Sequence, residues 1–195
     1  MNTSFLQAEL ESLRNKSLYR SLRCVEGDQG PTLLIHGREV INFSSNNYLG
    51  LANHPALREA AKEAIDRYGC GSGASRLISG NMTLHEELES KIAELKGTEA
   101  SLVFNSGFQA NTGVIPVLVG EGDVILSDAL NHASIIDGCR LARAKTVVYG
   151  HCDLDELERG LKNSLPNSRR LIVTESLFSM DGDEAPLSDI VNLAE

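Results

Sequence analysis

The sequence predicts an α/β protein of three layers, with a mostly parallel sheet covered by helices on both faces. Two observations carry this reading. From about residue 102 onward, short apolar runs alternate with segments of helical length and helical periodicity. The helical segments are punctuated by prolines, glycines and polar residues suited to their ends. Strand–helix alternation of this kind implies right-handed crossovers and parallel pairing. There is no internal repeat, low-complexity stretch or linker.

The elements follow in order. Ser4-x-x-Gln7 reads as a capping box opening a helix, in which Leu6, Leu10 and Leu13 share one face. Thr32–Ile35 and Glu39–Phe43 read as two short strands joined by a turn at His36-Gly37. Pro55 suits the first position of a helix running to Tyr68, with Gly69 just beyond its end. Thr83-x-x-Glu86 reads as a second capping box. Leu84, Leu88, Ile92 and Leu95 give that helix its apolar stripe, and Gly97 closes it.

Leu102–Phe104 is a short strand-like run, and a helix is expected near Gln109–Leu118. Asp123–Ser127 is read as a strand, Ala133–Ala144 as a helix and Lys145–Tyr149 as a strand. Asp153–Leu165 is then a helix, Arg170–Glu175 a strand, and a last helix begins near Pro186. That helix meets Glu195 with no glycine cap or closing basic turn, so the sequence is expected to be a truncated one.

Composition narrows the function. The net charge of −9 disfavours non-specific contact with nucleic acid or an anionic membrane surface. No apolar run is long enough to span a bilayer. The N-terminus lacks a basic segment followed by an apolar one, so a secretory signal is not expected. Cys24, Cys70, Cys139 and Cys152 show no C-x-x-C spacing, so neither a zinc site nor a redox motif is indicated. Scattered thiols without an export signal fit a reducing cytoplasm.

Candidate chemistry gathers after the strands, because parallel sheets bind ligands at their carboxyl ends. Asn105-Ser106-Gly107-Phe108 enters a helix from a strand-like run and offers free backbone N–H groups to a phosphate. His132 follows the next strand, where a flat ring can meet an aromatic cofactor or simply begin a helix. Glu175 and Ser179 follow the last strand. Three strand ends thus carry polar groups that can converge on one crevice. The segment Gly69–Gly73 is glycine-dense, but its placement does not fit a dinucleotide-binding G-x-G-x-x-G.

Four segments carry a resemblance. They are Asn42-Phe43-Ser44-Ser45-Asn46-Asn47-Tyr48-Leu49-Gly50-Leu51, Gly71 through Gly80, Asn131-His132-Ala133-Ser134-Ile135-Ile136-Asp137-Gly138, and Val173-Thr174-Glu175 through Asp183. In this order they resemble the α-oxoamine synthases. That resemblance implies a pyridoxal 5'-phosphate (PLP)-dependent transferase of fold type I, aspartate-aminotransferase-like and here incomplete. It implies condensation of an amino acid with an acyl-CoA or acyl-ACP and loss of carbon dioxide.

Val25-Glu26-Gly27, Gly30-Pro31 and Ser44-Ser45-Asn46 look most like the branch that joins L-alanine to a pimeloyl thioester in biotin biosynthesis. Asn47 and Ala74 stand where that branch often has Asp and usually has Gly, and a glycine C-acetyltransferase is the alternative. A non-catalytic partner subunit of the same fold is a further one. Position by position, Ser106, Gly107 and Phe108 match the phosphate loop and His132 the histidine stacked on the pyridine ring. Glu175 and Ser179 match residues lining the cofactor site, Arg20 and Asn46 match positions around the substrate, and Ser75 lies in a loop reaching a neighbouring subunit.

On this resemblance residues 1–45 form an N-terminal helix with small strands, and residues 46–195 the first part of the large PLP-binding domain. A homodimer is implied for the full-length protein. Of the six lysines, Lys16, Lys62, Lys91, Lys96, Lys145 and Lys162, none ends a strand as a cofactor lysine would, so the chain alone is expected to be inactive.

Overall fold

The computed structural model describes residues 4–195. They fall into two compact units, one ending at Gly80 and the other spanning Asn81–Glu195.

The first unit opens with helix α1 (Ser4–Asn15). Ser4 is its first residue, so the residue that would cap it lies outside the described residues. Strands β1 (Val25–Glu26), β2 (Thr32–Ile35) and β3 (Arg38–Ile41) form an antiparallel sheet in that order. Ile35 faces Arg38 across a two-residue turn, and both turn residues are left-handed, His36 at φ 51° and Gly37 at φ 70°. This is the geometry that matches strand twist in a tight hairpin, so His36 is a turn residue as the sequence indicates. β1 is two residues long, too short for a period to show in sequence.

β3 stops at Ile41, although the apolar run continues to Phe43. The reason is the residue opposite: Asn42 N–H still donates across to the Pro31 carbonyl at 2.8 Å, but proline has no N–H to return the bond. Beyond that point the Asn42 side chain accepts from Ser44 N–H at 3.1 Å and the chain turns away. Helix α2 (Pro55–Tyr68) has the predicted bounds; His54 Nδ1 accepts from Ala56 N–H at 3.3 Å, and Gly69 leaves the helix at φ 80°.

The second unit begins with helix α3 (Thr83–Lys96), closed by Gly97 in the left-handed conformation. The expected capping box shifts by one residue. Thr83 is already helical, and it is His85 Nδ1 that accepts from Met82 N–H at 3.0 Å. Glu86 instead accepts from the Asn81 side chain at 2.8 Å. The expected strand at Leu102–Phe104 joins no ladder among the described residues. Its neighbours are on α3: the Glu89 carboxylate accepts from Val103 N–H at 2.8 Å, and the Glu89 carbonyl accepts from Ser101 Oγ at 2.7 Å.

Helix α4 (Gly107–Leu118) follows, then β4 (Val124–Asp128), α5 (Ala133–Leu141), β5 (Lys145–Tyr149), α6 (Leu154–Lys162), β6 (Arg170–Val173) and α7 (Leu187–Ala194). β4 lies between β5 and β6 and pairs with both in parallel. Every residue of β4 is buried. Val124 and Leu126 enter one core with Leu157 of α6 and Ile190 of α7. Ile125 enters the other with Ile115 of α4 and Ile135 and Cys139 of α5. Because side chains alternate along a strand, these two cores lie on opposite faces of the sheet, and the three-layer α/β/α arrangement is present.

Two packing details should decide the stability of this unit. Gly138 lies where α5 crosses α4; a Cβ there would stand 2.6 Å from the Asn111 carbonyl oxygen. Gly138→Ala is expected to push the helices apart and cost about 1–3 kcal/mol, read as a lower guanidinium midpoint. Leu157 is 0% exposed. Leu157→Ala is expected to cost about 2–5 kcal/mol through lost burial and the cavity left behind, with the slope of the transition unchanged.

Candidate active site

The carboxyl ends of β4, β5 and β6 lie on one edge, since the three strands are parallel and in register at Asp128↔Tyr149 and Ser127↔Val173. Asp128 ends β4 and is buried. Its Oδ1 accepts from Leu130 N–H at 2.8 Å and its Oδ2 from Cys152 N–H at 2.9 Å. One carboxylate therefore ties the loop after β4 to the loop after β5. Asn131, also buried, donates from Nδ2 to Ser127 Oγ at 3.0 Å and to the Val173 carbonyl at 2.8 Å. That ties the same loop to the end of β6.

His132 comes next, exposed and at the N-cap of α5. Its Nδ1 accepts from Ser134 N–H at 3.1 Å and lies 2.7 Å from Ser134 Oγ. Since Nδ1 accepts, the neutral ring carries its proton on Nε2. Asn111 Nδ2 of α4 donates to Ser134 Oγ at 2.9 Å, so the side-chain amide of one helix steadies the ring that opens the next. The His132 backbone N–H donates to Glu175 Oε1. The structure thus joins His132 directly to Glu175.

Ser106 caps α4, its Oγ accepting from Gln109 N–H at 3.2 Å. Asn111 meets Ser134, and Ile115 lies farther along against Gly138, so α4 and α5 run in the same sense. Ser106, Gly107 and Phe108 therefore start α4 at the end where His132 starts α5. The N–H groups of Gly107 and Phe108 belong to the first turn and have no intrahelical acceptor. Open space surrounds the point where a Gly107 Cβ would stand.

The other predicted residues stand apart. Ser179 is exposed at the turn of a small hairpin bridged by Leu177 and Glu184. Arg20, Asn46 and Ser75 belong to the unit ending at Gly80, and all three are exposed. Asn46 lies within a turn held by Ser45 Oγ and Asn47 N–H at 3.0 Å. The Ser75 carbonyl accepts from Ile78 N–H and Gly80 N–H at 3.1 and 2.9 Å.

Sequence reasoning passed over three residues at this edge: Asp128, His151 and Asp183. His151 Nδ1 lies 2.9 Å from Asp128 Oδ1, and its Nε2 lies 2.7 Å from Asp183 Oδ2. The hydrogen bond to Asp128, joined by that to Asp183, raises the imidazole above its ordinary value. The His151 bond in turn lowers Asp183 below the ordinary carboxylate value. Burial pushes the neighbouring Cys152 thiol up. A signal existed: Gly150-His151-Cys152 follows β5 much as Asn131-His132 follows β4.

Comparison with known proteins bears on this arrangement. Residues 38–195 match the family model described as aminotransferase class I and II. The 8-amino-7-oxononanoate synthase of Geobacter sulfurreducens is 59% identical over 191 residues, 98% of this chain and 49% of that protein. That of Symbiobacterium thermophilum is 59% identical over 194 residues, 99% of this chain and 50% of that protein. The chain spans about half the length of the curated relatives it matches. Among solved structures, a serine palmitoyltransferase from S. paucimobilis with a bound PLP–myriocin aldimine is 33% identical, with a TM-score of 0.89. It is matched over 97% of this chain and 48% of its own. From the match over residues 38–195, this chain belongs to the class I and II aminotransferase family.

Proposed function

We propose that the protein carrying this chain uses PLP to condense L-alanine with pimeloyl-CoA or pimeloyl-ACP, with loss of carbon dioxide, giving 8-amino-7-oxononanoate for biotin biosynthesis. The observation that carries the reading is the 59% identity to 8-amino-7-oxononanoate synthases over nearly the whole chain.

The donor set fits the cofactor. The start of α4 offers a serine hydroxyl, a glycine with open space beside it and free backbone N–H groups, which together suit a phosphate. The exposed ring of His132, held by Ser134, suits an aromatic face. In this reading Ser106, Gly107 and Phe108 hold the phosphate and His132 lies against the pyridine ring. Glu175 fixes the His132 backbone, and Ser179 lines the same site. Bound PLP supplies an electron sink for the carbanion formed at the amino-acid carbon. The chain's own part is to bind, flatten and orient. With Nδ1 occupied by Ser134, only His132 Nε2–H is free to donate a hydrogen bond to a reacting group.

Arg20 and Asn46 are assigned to the substrate, and Ser75 to a loop reaching a second subunit of a homodimer. Leu22, Phe43 and Leu77 are almost fully exposed, which a second subunit or further chain would relieve. A cytoplasmic location accompanies the reading, and no helix among the described residues is long and apolar enough to cross a membrane.

CoA release by the protein of the full reading frame, supplied with PLP, tests the reaction. Turnover with L-alanine and pimeloyl-CoA is expected, and turnover only with glycine and acetyl-CoA would replace it by the glycine C-acetyltransferase reading. His132→Ala is expected to weaken PLP by about two- to tenfold, since an aromatic stack contributes about 0.5–1.5 kcal/mol. His132→Phe should restore PLP affinity and leave turnover low, measured by PLP absorbance and CoA release in parallel.

A further inference from the structure

His151 sits between two carboxylates. Asp128 Oδ1 faces its Nδ1 at 2.9 Å, and Asp183 Oδ2 faces its Nε2 at 2.7 Å. Ionised carboxylates only accept hydrogen bonds, and a neutral imidazole has one N–H to give. In a neutral ring one nitrogen lone pair would point at a carboxylate oxygen at hydrogen-bonding distance. Only the imidazolium satisfies both contacts.

The ring has little freedom to turn away. It packs edge-on against Phe178, with centroids 4.4 Å apart at 86°. Phe178 is 2% exposed and belongs to the core beneath β4. Phe178 and Asp183 both belong to the hairpin that begins directly after Glu175. Within it, Phe178 N–H donates to the Asp183 carbonyl at 2.9 Å, and Gly182 N–H donates to the Phe178 carbonyl at 2.8 Å. At its base Ala185 N–H donates to the Ser176 carbonyl at 3.2 Å. The contacts of His151 thus run from the end of β4, through the loop after β5, into the hairpin that carries Ser179 and adjoins Glu175.

We propose that His151 is a positioning residue, an imidazolium clamp that fastens the 176–185 hairpin to the carboxyl edge of the sheet and thereby sets Glu175 against His132. Its consequence for PLP rests on the function proposed above. The groups facing the ring are Asp128 from β4, Asp183 and the apolar Phe178 from the hairpin, and the Cys152 thiol, 3.7–3.8 Å from the ring nitrogens. Loss of the proton releases Asp183 rather than Asp128. Asp128 is 1% exposed and holds two backbone donors besides, whereas Asp183 is 47% exposed and water can replace the ring.

The clamp has a definite pH window. The His151 value is raised, so its contribution is complete below the ordinary histidine value and is lost as pH rises through the raised one. The Asp183 value is lowered, so its contribution is complete above the ordinary carboxylate value and is lost as pH falls through the lowered one. The hairpin is fastened between those limits.

Nitrogen-detected NMR of the histidine-labelled protein of the full reading frame tests the clamp directly. Both His151 ring nitrogens should be protonated at neutral pH, with a midpoint above that of an ordinary histidine. Asp183→Asn should lower that midpoint, since it removes one of the two acceptors that favour the charged ring. Amide exchange at Ser179 and Gly182, corrected for its intrinsic pH dependence, should accelerate above the midpoint in the wild-type chain. In His151→Gln that step should vanish. A singly protonated His151 at neutral pH, or hairpin exchange indifferent to its titration, overturns the proposal. If His151→Gln does not fold, the wild-type titration and Asp183→Asn decide alone.

A second arm follows the PLP affinity of the protein of the full reading frame across the same pH range. A decrease at the His151 midpoint, shifted by Asp183→Asn, supports the positioning role, and an affinity blind to that midpoint overturns it. Failure of PLP to bind at any pH removes the functional reading instead and leaves the clamp to be judged by NMR.

Discussion

Burial of β4 on both faces is the constraint from which the second unit is built. All five of its residues are out of water, and its apolar side chains are divided between two cores on opposite sides of the sheet. A strand so placed needs ladder partners on both edges, since unpaired backbone groups away from water are costly. β5 and β6 supply them. Helices must then come close on each face, and small residues allow it. Gly138 lets α5 reach the Asn111 backbone, and Gly160 of α6 lies against the Leu126 side chain.

The same strand anchors the loops at its carboxyl end. β4 ends in Asp128, a buried carboxylate at the point where the chain must leave the sheet. Such a group is stable there only if its lone pairs are used. They accept from Leu130 N–H, Cys152 N–H and the His151 ring, so desolvating one charge fixes two loops in relation to each other. Asn131 repeats the arrangement toward β6. The result is a rigid edge on which His132 is presented to solvent while its backbone is held by Glu175. Precision of this kind comes from the shell behind the exposed residue rather than from the residue itself.

How much of this was legible can be judged from particular elements. α2 was read to the residue because Pro55 and Gly69 act locally, through a fixed φ and a permitted positive φ. The His36-Gly37 turn was legible for the same reason. β3 ended early because Pro31 stands opposite Asn42 with no N–H to give, a pairing the apolar run does not reveal. Leu102–Phe104 has a strand's composition, but a strand is a pairing, and among the described residues none is available to it. The box at Thr83 slipped by one residue because His85, not Glu86, turned back to the helix start. The link between His132 and Glu175 spans 43 residues of sequence, and no local pattern encodes a contact at that separation.

By itself the sequence determined the class of fold, the order of α1–α7 and β2–β6, and the residues that follow those strands. These are set by periodicity, by backbone preferences of proline and glycine and by short-range capping, all of which act within a few residues. The motif resemblance pointed to the α-oxoamine synthases, and the match over residues 38–195 shows the class I and II aminotransferase family. Only the tertiary structure decided which strand ends meet. It put β4 between its neighbours, closed Asp128 and Asp183 on the two nitrogens of His151, and seated that ring on Phe178. The physical reason is that a carboxylate or an imidazole acquires its state from burial and from partners, and both are properties of the packed chain.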